Sequence, residues 1–279
     1  MQDRPQRRAG RRRSAPARIV AGVHPVRELL RSGATVEELH VAQQRHLSAP
    51  VQEILDLAAA AGIAVRSVGR EALDDLTHGT AHQGLVAVAP PFAYRQLGDL
   101  LAAVPHSEAP LLVALDGVTD PHNLGSIART AEAVGAHGLL VPARRAVGVT
   151  PAAEKAAAGA FAHLPVGRVT NLVRALGELG ERQVWAVGLD ADGDTQLTAC
   201  DLLTEPVVVV VGAEGRGLAR LTAETCDQLV ALPMRGRVRS LNASIAAAVV
   251  LYEARRRREE AAPTGAPPAG TTGPGRPDV

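Results

Sequence analysis

Aromatic residues make up only 2% of this 279-residue chain: one Trp, two Tyr and two Phe. A core must therefore be built from Ala, Val and Leu, and a hydrophobic content of 46% is enough for one. The same scarcity argues against aromatic stacking platforms as the main mode of nucleic-acid binding. Lysine is nearly absent; Lys155 is the only one, and the other basic residues are Arg. The two cysteines, Cys200 and Cys226, match no metal spacing and no disulfide framework, so a reducing cytoplasm is the expected compartment. No histidine pair has metal-ligand spacing, and Asp190, Asp192 and Asp194 lack the glutamate of a calcium loop. No metal is expected. No apolar run reaches spanning length, and the N-terminus lacks the apolar stretch of a signal peptide, so no membrane partner is expected.

Net charge is +1, but the arginines are unevenly placed. Arg4, Arg7, Arg8, Arg11, Arg12, Arg13 and Arg18 crowd the N-terminus, and Arg235, Arg237 and Arg239 crowd one later loop. Arginine suits bidentate phosphate contacts. A high-GC coding bias that replaces Lys with Arg also accounts for the excess.

Composition divides the chain into five parts. Residues 1–17 read as a disordered basic arm, and residues 259–279, rich in Pro, Gly and Thr, as a disordered tail. Residues 18–90 read as a small α/β domain: a short helix near Pro25–Arg31, strands in VEELHVA, IAVRSV and GLVAVA, and a helix in APVQEILDLAAAAG. Pro90-Pro91 opens a linker, residues 91–109, with room for one short helix. From residue 110 to 258 strands and helices alternate, which predicts a mostly parallel sheet covered on both faces. TPAAEKAAAGAF reads as one helix in that series.

Three segments of the second domain carry chemistry. The first is LDGVTDPHNLGSIART, Leu115 to Thr130. Asn123 fits a helix N-cap, and Arg129 falls well inside the following helix. The second is VVVVVGAEGRG. Its valine run reads as a strand buried on both faces, ending in a glycine-rich turn around Glu214. Glycines there let a ligand approach the backbone, and Glu214 alternatively fits a helix-start acid. A dinucleotide fingerprint would follow the first strand of the domain, but the first turn, DGVTDPHN, has no such pattern. The third is LPMRGRVRSLNASIAAAVV, where Ser240 or Asn242 can cap a helix that is apolar nearly all round through Val250 and must be covered on two sides. Loops of this kind form a pocket at the carboxyl ends of parallel strands.

Together these segments resemble the three motifs of the SpoU, or TrmH-like, branch of the SPOUT RNA 2′-O-ribose methyltransferases. The resemblance implies a trefoil-knotted parallel sheet, a homodimer packed through the last helix, and S-adenosylmethionine as cofactor. It assigns Arg129 to catalysis at the ribose hydroxyl, Glu214 to holding the active site and substrate, and Asn123, Ser240 and Asn242 to the polar catalytic surroundings. It places Gly212, Leu232 and Leu241, with Leu189, Ala213, Gly217 and Met234, at the cofactor. An arginine, with its pKa above about 12, makes a poor general base. Stabilisation of the developing alkoxide by a charged Arg129 is favoured over proton abstraction.

GVHPVRELL and AHQGLVAVA resemble the first domain of the RlmB group, which methylate a guanosine in the P-site loop of 23S ribosomal RNA. That domain is similar to ribosomal protein L30e, so residues 18–90 are expected to bind RNA. Open alternatives are a 23S adenosine methyltransferase of the thiostrepton-resistance type, a transfer-RNA guanosine methyltransferase, and a noncatalytic RNA-binding or ribosome-assembly protein.

Overall fold

The computed structural model describes residues 17–43, 48–237 and 240–261. The expected basic arm up to Pro16, Arg239, and the expected tail from Ala262 lie outside the described residues.

The N-terminal unit contains β1 (Arg18–Ala21), α1 (Val23–Arg31), β2 (Glu38–Ala42), α2 (Ala49–Ala60), β3 (Ala64–Val68), α3 (Arg70–Thr77) and β4 (Leu85–Ala89). Its sheet runs β1-β4-β2-β3, with β4 antiparallel to both neighbours and β3 parallel to β2. Val20, Leu29, Leu39, Ile54 and Leu85 fill its main core. Two elements escape the sequence reading. β1 is a fourth sheet strand rather than a lead-in, but its four residues are too few to show a period. α3 is mostly charged and buries only Leu73 and Thr77.

The second unit contains α4 (Leu97–Ala102), β5 (Leu111–Asp116), α5 (Pro121–Ala133), β6 (Gly138–Pro142), α6 (Pro151–Ala157), β7 (Val166–Val169), α7 (Leu172–Gly180), β8 (Trp185–Leu189), β9 (Thr195–Gln196), β10 (Val207–Gly212), α8 (Arg220–Thr225), β11 (Gln228–Ala231) and α9 (Ala243–Ala261). All strands are parallel, in the order β7-β6-β5-β10-β8-β11-β9. The valine run is β10, between β5 and β8. Val207, Val209 and Val211 face one core, and Val208 and Val210 the other. That is why the strand shows no polar alternation. Strand order turns back at β5 and β10, so their carboxyl ends open a crevice.

Three further expectations are corrected. TPAAEKAAAGAF is not one helix: α6 stops at Ala157, Ala158 and Gly159 are left-handed, and a 3-10 turn follows. The segment expected as a linker lies along the edge of the second sheet. The Arg95 amide donates to the Val166 carbonyl at 2.8 Å, and both phenylalanines, Phe92 and Phe161, stack edge-on in a cluster with Tyr94. α9 runs past residue 258, through the Glu259 and Glu260 expected in the tail. Arg255 and Arg256 bond these two acids one turn on.

α9 is pinned at its far end by Arg257, whose guanidinium donates to the carbonyls of Cys200 and Leu197 at 2.8 and 2.9 Å. Within one chain it is not covered on two sides: Ile245, Val249 and Tyr252 stay exposed at 53%, 44% and 58%. Among the described residues, no helix is long and apolar enough to cross a membrane.

α5 and α6 cross at Gly125. A Cβ there would lie 2.5 Å from the Ala153 carbonyl oxygen and 2.8 Å from the Ala157 amide nitrogen. The two helices therefore meet backbone to backbone. Gly125→Ala should cost about 1–3 kcal/mol, the usual range for overpacking. Urea unfolding at constant m value measures this; an unchanged midpoint would mean the helices separate freely.

Candidate active site

The site begins where β5 ends. Gly117 takes a left-handed φ of 73°, turning the chain away from Asp116. The Asp116 carboxylate accepts from the Ala219 amide at 2.7 Å, which ties this strand end to the start of α8. The N-cap of α5 is Asp120, whose side chain accepts from the His122 amide at 2.9 Å. Asn123 is thus not the cap. It lies in the first turn, 4% exposed, with its amide turned into the protein. Pro121 at the first helical position moves the helix start earlier than the polar run suggested.

The glycine-rich turn follows β10. Ala213 and Gly217 exchange two backbone hydrogen bonds of 3.0 and 2.9 Å, and Gly215 and Gly217 are left-handed. A Cβ on Gly212 would fall 2.3 Å from the Gly217 carbonyl carbon. Glycine at 212 is thus required by the turn folding over it, before any ligand is considered. The turn holds Glu214 well ahead of α8, so Glu214 is not a helix-start acid.

Three motifs meet in one network. The Asn123 Nδ2 donates to Glu214 Oε1 at 2.8 Å. Asn242 Nδ2 donates to Asn123 Oδ1 at 3.0 Å and also to Glu214 Oε1. Asn242 Oδ1 faces the other way and caps α9, accepting from the Ser244 amide at 2.8 Å and the Ser244 hydroxyl at 2.6 Å. One side chain therefore caps the last helix and fixes the site.

Beside this network lies a cleft of about 360 Å³ at the carboxyl ends of β8, β10 and β11. Gly212, Ala213, Gly217, Leu189, Leu232, Met234 and Leu241 all line it, as do Glu214 and Ser240. Sequence reasoning missed Asp190 and Asp192, which also line it. Their place directly after a buried strand was the available signal; it was spent on a calcium loop. Among the described residues no group of His, Cys, Asp or Glu is arranged to hold a metal.

The cleft suits S-adenosylmethionine by its chemistry. Leu189, Val211, Val230, Leu232 and Leu241 give an apolar wall for a purine, and Asp190, Asp192 and Glu214 give acids for a cationic sulfonium and ammonium. Among the described residues, the backbone of Met234 to Gly236 makes no backbone hydrogen bond and can offer its groups to a ligand. Behind β8, Cys226 is no nucleophile. Burial first, then Asp227 and Asp116, push its thiol up to about 12.

Arg129 is elsewhere. It is exposed and lines a second groove, of about 470 Å³, with His24, Glu28, Glu132, Gly159 and His163. Six residues of helix separate it from Asn123, about 9 Å along the axis and roughly 240° around it. One chain therefore does not bring Arg129 to the cleft that holds Glu214 and Ser240. Arg235 and Arg237 are exposed on the loop beside the cleft.

These features have counterparts in known proteins. The SpoU rRNA Methylase family matches residues 110–252, and the RNA 2′-O ribose methyltransferase substrate binding family matches residues 19–95. An uncharacterized tRNA/rRNA methyltransferase of Mycobacterium ulcerans is 46% identical over 248 residues, spanning 89% of this chain and 80% of its own length. Among solved structures, the SpoU methyltransferase AviRb of Streptomyces viridochromogenes, in complex with AdoMet, superposes with a TM-score of 0.72 at 31% identity, over 87% of this chain and 90% of its own. An AdoMet-bound rRNA methyltransferase of Sinorhizobium meliloti gives 0.68 at 27% identity, over 86% and 87%.

Asn242→Asp isolates the network from the cap. Aspartate caps as well as asparagine, so the cap on α9 is kept and any loss in thermal stability is that of the network alone. It cannot donate to Glu214 and sets a second negative charge beside it. Loss of one charge-assisted bond is worth about 1.5–3 kcal/mol, so calorimetric affinity for S-adenosylmethionine should fall about tenfold or more. Equal affinity would detach the network from the cleft.

Proposed function

Since this chain belongs to the SpoU rRNA methylase family and is an S-adenosylmethionine-dependent RNA 2′-O-ribose methyltransferase, we propose that its substrate is a guanosine in the P-site loop of 23S ribosomal RNA, as for RlmB-type enzymes. The observation that carries the chemistry is the cleft beside Asn123, Glu214 and Asn242, where the first turn of α5, the turn after β10 and the start of α9 converge. The substrate-binding match over residues 19–95 supports a grip on a large structured RNA by an L30e-like domain. The return of α9 against α5 and β10 supports a trefoil-knotted path through the last motif.

When bound, S-adenosylmethionine supplies an electrophilic methyl group. The residues of this chain do the rest. Leu232, Met234 and Leu241 would exclude water around the purine. Asp190 and Glu214 would hold the positive end. Ser240 and Asn242 would fix the rim on the ribose side. Arg129 would stay charged and stabilise the 2′-oxygen as its proton passes to solvent water.

Arg129 opens away from its own cleft, so we assign it to the cleft of a second copy. The exposed row of Ile245, Val249 and Tyr252 begins next to the cleft rim and supplies an apolar face for a homodimer. Arg129 of one copy then serves the ribose bound at the other.

The first test uses radiolabelled S-adenosylmethionine with separate pools of unmodified 23S ribosomal RNA and transfer RNA. Label in one 23S guanosine, mapped as a 2′-O-methyl, is expected. Label in an adenosine, or only in transfer RNA, would overturn the target while leaving the chemistry.

Arg129→Ala should abolish methyl transfer and leave stability within about 0.5 kcal/mol, because the residue is exposed. Mixed with a variant dead in the cleft, it should regain about one quarter of wild-type turnover, since half the dimers are mixed and each has one complete site. No recovery after subunit exchange would place Arg129 in its own chain's site.

A further inference from the structure

The seam between the two units carries chemistry that the methyl-transfer reading leaves unused. Lys155, on α6, is the only lysine in a chain with 30 Lys and Arg residues. Its ammonium lies 3.1 Å from the Gln83 side-chain oxygen, just before β4 of the other unit. That oxygen also accepts from the amide of Val23, the first residue of α1, at 3.2 Å. Gln83 holds a left-handed φ of 54°, uncommon for a residue other than glycine. Opposite, a Cβ on Gly22 would lie 2.6 Å from the Lys155 nitrogen. The contact holds a compact ammonium between the Gln83 oxygen and the Gly22 backbone, a shape that a planar guanidinium does not reproduce. In a chain whose other basic residues are all arginine, this seam is where the one lysine stands.

The neighbouring residue works the same seam. Glu154 is 2% exposed and pairs with Arg18 of β1. The Arg18 guanidinium in turn lies 4.8 Å from the centre of the Phe92 ring. Farther on, Gly159 approaches so closely that a Cβ would sit 2.6 Å from the Glu28 Cβ, and His163 bonds Glu28 at 3.1 Å. That end of the seam is the wall of the groove into which Arg129 opens. α6 is fixed to α5, which carries Arg129, through the contact at Gly125.

We propose that Lys155 and Glu154 are positioning residues that set the register of the RNA-binding unit against Arg129, and so select which nucleotide of a bound RNA is methylated. This rests on the RNA-methyltransferase reading above. RNA gripped by the first unit reaches the reacting groups at a fixed offset only if the seam is rigid. A misplacement of about 1 Å can cost roughly 100-fold in rate. A buried ion pair such as Glu154–Arg18 adds little net stability, so fixing an arrangement is the better account of it.

The test compares full-length wild type, Lys155→Arg and Gln83→Ala. Three quantities are read: S-adenosylmethionine affinity; kcat/KM on the RNA pool that wild type labels and on a short oligonucleotide around the mapped nucleotide; and the positions methylated in the long RNA. Unchanged cofactor affinity is expected. So is a loss of roughly 10- to 100-fold in kcat/KM confined to the long RNA, with new 2′-O-methyl groups beside the normal site. Equal losses on long and short RNA, or wild-type position and rate in both variants, would overturn the proposal. Hydrogen exchange at β1 and α6 is read in parallel. Wild type labelling no RNA would overturn the functional reading. In that case, faster exchange in Lys155→Arg supports the rigid seam and unchanged exchange overturns it.

Discussion

The site depends on three side chains that satisfy one another. Asn123 in the first turn of α5, Glu214 in the turn after β10 and Asn242 at the start of α9 lie 91 and 28 residues apart, and each brings a different element to the same point. A polar network of this kind is stiff when complete and costly when one member is missing, because partly buried donors and acceptors are then left unpaired. The cleft is therefore only as well shaped as the network. Its last member also caps α9, so the start of that apolar helix is tied to the placement of α5 and the Glu214 turn. Folding of the final element and assembly of the site are one event.

Glycine shapes the same region in two distinct ways. Gly125 and Gly212 have no unusual dihedral to explain them; both are places where backbone lies on backbone. Gly117, Gly215 and Gly217 instead hold left-handed turns. Sequence alone cannot tell these cases apart. Reading Gly212 as a ligand-approach glycine was reasonable, yet its immediate constraint is the turn itself.

Much of the second unit was legible. β10 announced itself through unbroken Val, since alternation is lost when both faces are buried. That Leu189, Gly212 and Leu232 share one cleft was legible because they end or follow buried strands in sequence, so proximity at the carboxyl edge comes from topology. What escaped was set by tertiary contact. β1 is ordered by β4, and the segment after Pro91 by the edge strand β7; neither has a pattern of its own. Asn123 looked like a cap because Asp120 and Asn123 are both plausible N-caps, and only Pro121 indicates which position begins the turn.

The placement of Arg129 follows from helical phase. Motif one sets Asn123 and Arg129 six residues apart, and six residues do not return to the same helix face. The first must point inward to meet Glu214 and Asn242, so the second must point outward, into the groove against α1. A single helix thus serves two surfaces: one shapes the cofactor cleft, and the other faces the unit that binds RNA. Methyl transfer needs both surfaces at one ribose. On the proposed reading, that demand is met by a second chain at the exposed face of α9 and by a seam stiff enough that the groove and the cleft keep a constant separation. On that reading dimer and seam are parts of the catalytic geometry, because neither surface of α5 completes the reaction alone.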